Sequence, residues 1–311
     1  MALAFLYAGQ GSQHAGMGAD LYDIPAFREV FDACADAVDF DLKTVCFEDP
    51  DGIIDRTEYT QPCMVAFAAG MTRLLAERGI TPDLAAGLSL GEYSALQAAG
   101  VFEPVQAVQL TAFRGKAMAQ AAEGIDCGMK AVLGLDRAPL QKICAEVTAS
   151  GYGHVQISNY NCPGQLVISG NAAAVDRAAD LAKEAGAKRC MPLKVSGPFH
   201  TELMSPAGAV LAERFRDEPF GEMRVPVLFN CIGREKPDHL SVPELLVRQV
   251  QSPVMMEDTI HRLAELGVDT VIEIGPGKAL SGFIRQTEPG IRTIAAETTA
   301  DLEKFSELLA E

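Results

Sequence analysis

The chain has 311 residues, of which 48% are hydrophobic, and 42 acidic against 26 basic side chains give it a formal net charge of −16. That is ample material for a large buried core, and the negative balance argues against nonspecific binding to nucleic acid or to an anionic membrane surface. No apolar run reaches the roughly 18 residues of a membrane-spanning helix, and the eight cysteines include no C-x-x-C pair, so neither a zinc site nor a redox motif is expected.

The cysteines are scattered through apolar surroundings and read as reduced thiols of a cytosolic protein. The N-terminal stretch MALAFLYAGQGSQ lacks a charged leader and runs into a glycine loop. It therefore reads as a first strand, ALAFLYA (2–8), rather than a signal peptide. Next, segment 62–78 carries Pro62 near its start and apolar residues at roughly helical spacing, which predicts a helix. DLAAGLS predicts a strand, and Gly91–Ala99 and Pro104–Ala122 predict helices. This alternation fits a parallel sheet covered by helices.

The rhythm changes near residue 127. GMKAVLGL reads as strand, 137–150 as helix, HVQISNYN and QLVISGN as two strands around a CPG turn, 172–186 as helix and KRCMPLKVS as strand. The order βαββαβ is that of a ferredoxin-like unit. After Ser196 the α/β pattern resumes, with strands near VPVLFN, VDTVIEI and IRTIAAE. The expected organisation is a large α/β subdomain, 1–126 and 197–311, interrupted by a ferredoxin-like insertion, 127–196.

Gly87-Leu88-Ser89-Leu90-Gly91 matches G-x-S-x-G between a predicted strand and a predicted helix, the setting of a nucleophile elbow. A helix-capping serine is the plainer alternative. A nucleophilic hydroxyl needs a base. Of five histidines, His14, His154, His239 and His261 read as surface or structural. His200 sits in SGPFHTELM, at a Gly-Pro break, and is the candidate base. The acids between the two, Asp126, Asp136, Asp176 and Asp180, read as helix caps or solvated charges, so an ordinary hydrolase triad is not expected. AGQGSQHAG fails the dinucleotide fingerprint, and EIGPGKAL fails the phosphate-loop pattern. Both offer backbone N–H groups at strand ends, where sites in open α/β sheets form.

GQGSQ, GLSLGEYSAL, FRGKAM, GPFH, VRQV and IGPGKAL occur in this order along nearly the whole chain. The sequence thereby resembles the malonyl-CoA:acyl carrier protein transacylases of bacterial fatty acid synthesis. The resemblance implies a hydrolase-like α/β core with a ferredoxin-like insertion, and a ping-pong transfer of malonyl from coenzyme A to the phosphopantetheine thiol of holo acyl carrier protein. It implies Ser89 as nucleophile and His200 as base. It implies that the Gln249 backbone carbonyl orients His200, and that the Gln10 and Leu90 backbone N–H groups stabilise the oxyanion. Arg114 would grip the malonyl carboxylate, although spacing alone reads it as a solvated charge. Phe199 would accompany malonyl choice. The sequence departs from the usual pattern at Leu88, where many members carry histidine, and at Lys130, where a small residue is usual.

No bound cofactor or metal is expected; a coenzyme A thioester is substrate, and the partner carries the phosphopantetheine. The expected carrier protein is acidic, so a local basic face of Lys183, Lys188, Arg189 and Lys194 is the candidate docking patch. A cytoplasmic location is expected, with neither nucleic acid nor membrane as partner. A serine hydrolase such as a thioesterase and a noncatalytic carrier-binding module are the alternatives. The absent acid and Arg114 weigh against the first, and intact Ser89, His200 and Arg114 weigh against the second.

Overall fold

In chain order, a computed structural model that describes residues 2–303 and 305 contains β1 (Leu3–Tyr7), α1 (Pro25–Ala35), α2 (Leu42–Phe47), α3 (Thr57–Glu77), β2 (Leu84–Gly87), α4 (Gly91–Ala98), α5 (Pro104–Ala122), β3 (Cys127–Leu133), α6 (Arg137–Ala149), β4 (Val155–Cys162), β5 (Gln165–Asn171), α7 (Ala172–Glu184) and β6 (Arg189–Pro192). There follow α8 (Ser205–Phe215), β7 (Val227–Phe229), β8 (Arg234–Glu235), α9 (Val242–Val250), α10 (Met256–Glu265), β9 (Thr270–Ile274), α11 (Ala279–Thr287), β10 (Arg292–Ala296) and α12 (Thr299–Glu303). The chain divides into two compact units: residues 1–115, 220–228 and 263–311, and residues 116–219 and 229–262. The second unit thus takes in more chain than the 127–196 insertion read from the sequence.

In the first unit, five strands of a parallel sheet run in the order β10-β9-β1-β2-β7. Strands β1, β2 and β9 are buried along their whole length. Helices cover both faces of such a sheet, which is why these strands read as continuous apolar runs rather than alternating ones. Helix α3 is the longest at 21 residues and is buried over most of its length. It begins at Thr57, ahead of the position expected from Pro62, so the proline lies inside the helix and not at its start. Phe27 stacks on Phe31, Phe31 on Phe47, and Phe67 meets Phe27 edge-on, fastening α1 and α2 to α3.

The second unit contains a four-stranded antiparallel sheet in the order β4-β5-β3-β6. With α6 and α7 it has the connectivity βαββαβ. Its core joins Leu140, Ile143 and Val147 of α6 to Val155 and Ile157 of β4 and Leu166 and Ile168 of β5. Helix α7 contributes Ala174, Ala178, Ala179 and Ala182, small residues that let the helix lie close to the sheet. The last strand is shorter than the sequence suggests, Arg189–Pro192. Pro192 has no N–H for the ladder, though the Leu193 N–H still reaches the Met129 carbonyl at 2.9 Å. The fold is therefore α/β, with a parallel-sheet core and a separate small antiparallel subdomain.

Candidate active site

Three loops leave the C-terminal ends of the adjacent strands β9, β1 and β2 in the first unit. The chain builds outward from β1 in both directions, so this is the switch point at which open parallel sheets form sites. Ser89 stands on the loop after β2 with φ of +51°. A left-handed backbone costs a residue with a Cβ roughly 1–2 kcal/mol, so the turn must be held from outside. Close packing of backbone on backbone holds it. A Cβ on Gly87 would lie 2.1 Å from the Gly91 carbonyl carbon, and one on Gly91 would lie 2.2 Å from the Tyr7 carbonyl oxygen. The Leu88 N–H donates to the Tyr7 carbonyl at 2.9 Å, tying the turn to the end of β1. Leu90 occupies the N-cap of α4, and the Glu92 N–H donates to the Ser89 carbonyl at 3.1 Å. Gln10, on the loop after β1, donates from Nε2 to Thr57 Oγ1 at 3.0 Å.

Arg114 projects from α5 and is only 1% exposed. One guanidinium nitrogen donates to Gln61 Oε1 at 2.8 Å, and another lies 3.3 Å from Ser89 Oγ. The guanidinium carbon sits 5.4 Å from the centre of the Tyr93 ring. Burial lowers the Arg114 pKa from its ordinary value, and the neighbouring Tyr93 and Glu92 oppose that shift. A guanidinium remains charged in proteins, so a buried cation stands next to a serine hydroxyl on a strained turn. That pairing suits an acyl group with an anionic end: the fork binds a carboxylate while the hydroxyl faces the carbonyl.

The third loop, Gly275–Lys278, leads into α11. The N-terminus of α11 already holds an anion. Glu273 of β9 accepts from the Leu280 N–H at 3.0 Å and from the Ser281 N–H at 2.8 Å, and the Ser281 hydroxyl donates to it at 2.5 Å. Burial raises the Glu273 pKa and these hydrogen bonds lower it, burial being the larger effect. The carboxylate occupies the donors that a phosphate would need, a physical reason for the missing phosphate-loop signature.

In the second unit, His200 is also left-handed, with φ of +59°, and is buried. Its Nδ1 lies 3.0 Å from the Gln249 carbonyl and 3.2 Å from the Ser252 carbonyl. Carbonyls only accept, so Nδ1 carries the proton and Nε2 is the basic nitrogen. Gln249 is fully buried on α9. The Thr201 hydroxyl donates to the Pro198 carbonyl at 2.6 Å, closing the turn around His200. Phe199 is buried, its ring packed over Gly197.

Ser89, Leu90, Gln10 and Arg114 thus belong to the first unit, and Phe199, His200 and Gln249 to the second. Asp126, Asp136, Asp176 and Asp180 are all exposed. His14 lies 2.9 Å from Glu297, and its pKa is raised first by a bond to the Ala15 carbonyl and then by Glu297. Lys130 pairs with Asp176 at 2.6 Å. Lys183, Lys188, Arg189 and Lys194 are exposed, and Lys183 also pairs with Asp180. Among the described residues, no group of acidic, histidine or cysteine side chains could hold a metal, and no helix is long and apolar enough to cross a membrane. Sequence reasoning missed Gln61 and Tyr93. The available signal for Gln61 was a glutamine ahead of the apolar run PCMVAFAAGM in α3.

A profile of the acyl transferase domain matches residues 4–301. The malonyl CoA-acyl carrier protein transacylase of Bacillus subtilis is 41% identical over 310 residues, covering 99% of this chain and 98% of that protein. The crystal structure of malonyl CoA-acyl carrier protein transacylase from Clostridium perfringens superposes with a TM-score of 0.95 at 38% identity, covering 100% of this chain and 98% of the other. A type II PKS acyl-carrier protein in complex with its malonyl-transacylase gives a TM-score of 0.94 at 37% identity, covering 99% and 100%. Fold and family together define an acyltransferase. More narrowly, the chain belongs to the malonyl CoA-acyl carrier protein transacylase family.

Proposed function

We propose that this enzyme moves malonyl from malonyl-CoA to the phosphopantetheine thiol of holo acyl carrier protein in two steps through a malonyl-serine. The observation that carries the reading is the buried Arg114 guanidinium 3.3 Å from Ser89 Oγ on its strained turn. In the first step Ser89 Oγ attacks the thioester carbonyl while His200 Nε2 takes its proton. The C–S bond breaks, and coenzyme A leaves as the thiol with the proton returned by His200. In the second step His200 takes the proton of the carrier thiol. The sulfur attacks the malonyl ester, and Ser89 Oγ leaves with that proton.

Each role follows from elementary chemistry. The Gln249 carbonyl holds His200 in the tautomer that makes Nε2 basic. The Gln10 and Leu90 N–H groups are proposed to meet the oxyanion; losing one such donor typically costs about 10²–10³ in rate. Arg114 grips the carboxylate, a charge-assisted contact worth roughly 1.5–3 kcal/mol. Phe199 is proposed to favour malonyl over bulkier acyl groups. The reading needs only these groups, one thioester substrate and one thiol acceptor, keeps 127–196 as an inserted subdomain, and assigns the enzyme to the cytoplasm. The structure of a transacylase with its carrier protein, 37% identical to this chain, supports the choice of partner.

Incubation with malonyl-CoA followed by intact-mass spectrometry tests the chemistry. The wild type gains one malonyl group and the Ser89→Ala variant gains none; an adduct on that variant overturns the assignment. Malonyl hydrolysis that carrier protein does not divert would favour a thioesterase instead. For docking, we assign Lys183, Lys188, Arg189 and Lys194 to an acidic carrier surface. Charge reversal at Lys188 and Arg189 slows transfer to carrier protein more than acylation by malonyl-CoA. Equal losses in both half-reactions reject the patch.

A further inference from the structure

The His200 turn is strained, and strain of this kind persists only where the surroundings fix it. The imidazole end is fixed by two carbonyls. The main-chain end is fixed from β4, where Gln156 Nε2 donates to the His200 carbonyl at 3.2 Å. We propose that Gln156 is a positioning residue for His200, with His154 setting the direction of its amide. This rests on the reading of His200 as the base.

A primary amide has a donor end and an acceptor end. With Nε2 on the His200 carbonyl, Oε1 must accept. His154 Nε2 lies 2.8 Å from that oxygen, so it donates there. His154 Nδ1 lies 3.0 Å from Glu202 Oε1, and the Glu202 N–H points at Gln156 Oε1 from 3.5 Å. The Glu202 N–H thus ties the same amide back to the segment that carries His200. Removing His154 takes away one of the two donors to Gln156 Oε1 and leaves the longer Glu202 N–H contact to hold the amide in this sense.

Strand geometry separates this duty from packing. Val155 and Ile157, the neighbours of Gln156, are buried in the core of the antiparallel subdomain. Alternate residues of a strand face opposite sides, so Gln156 lies on the other face and its loss leaves that core intact. One neutral hydrogen bond contributes about 0.5–1.5 kcal/mol, which converts to roughly a 2- to 12-fold rate effect.

The test uses the full-length enzyme with malonyl-CoA and holo carrier protein. Gln156→Leu lowers kcat within that range, with KM for malonyl-CoA and the melting temperature little changed. Gln156→Glu keeps the acceptor for His154 but sets a carboxylate against the His200 carbonyl, so it loses more than Gln156→Leu. The Nδ1–H proton resonance of His200 shifts in both variants. Wild-type kcat and an unmoved resonance in both would overturn the positioning role, as would Gln156→Glu matching wild type while Gln156→Leu is slow. His200→Ala separates the two readings. If it still acylates at the wild-type rate, His200 is not the base. If it is inactive while both Gln156 variants run normally, the base stands and only the positioning falls.

Discussion

Ser89 and His200 are two of the three non-glycine residues with left-handed backbones among those described, yet they are held there by different means. The Ser89 turn is enforced by steric exclusion, because Gly87 and Gly91 bring main chain against main chain where no Cβ fits. The His200 turn is enforced by directed polar contacts from Gln249, Ser252, Gln156 and Thr201. Steric enforcement fails all at once, since backbone cannot yield without moving strands. Polar enforcement fails by degrees, because each bond is worth only about 1 kcal/mol net.

The contrast can be broken most sharply at the elbow. Gly87→Ala forces a Cβ to 2.1 Å from the Gly91 carbonyl carbon. The expected cost is about 3 kcal/mol or more of stability, with loss of malonyl-enzyme formation, read by denaturant unfolding and intact mass. A folded variant that acylates normally would end the steric account. Thr201→Val probes the polar turn and should be milder. It removes the buried bond to the Pro198 carbonyl, for about 1 kcal/mol of stability and a several-fold loss of kcat. A loss as complete as that of Gly87→Ala would erase the distinction. The smallest effect concerns Glu273, a polar lock in the otherwise sterically enforced unit. Burial raises its pKa. Its stabilising contribution is therefore full below the ordinary glutamate range and declines as pH rises through the raised value. The gap in melting temperature between wild type and Glu273→Gln should narrow as pH rises above the ordinary glutamate range. A widening gap would mean that the hydrogen bonds outweigh burial.

Much of the fold was legible because each strand and helix announces itself locally. Helix α5 begins at Pro104 and ends at Ala122, as its pattern predicts, and β5 covers QLVISGN. The helix around Pro62 was misplaced because a proline inside a helix looks like one at its start, and only the packing of Thr57 onward decides between them. At the site, the local signal is the G-x-S-x-G turn between strand and helix. Arg114 is different: spacing puts a charge on a helix face and says nothing of Gln61 and Tyr93, which reach it from two other helices. Gln156 was silent for the same reason. A polar residue alternating with Val155 and Ile157 looks like any solvent-facing strand position until the His200 turn is placed beside it.

The absence of side chains at Gly87 and Gly91 also bears on how such an enzyme can change. Evolution or design has no room for even one methyl group at either glycine that flanks Ser89. On the proposed reading, a new acyl preference would be written in side chains around the turn, Arg114 and Gln61 among them, rather than at Gly87 or Gly91.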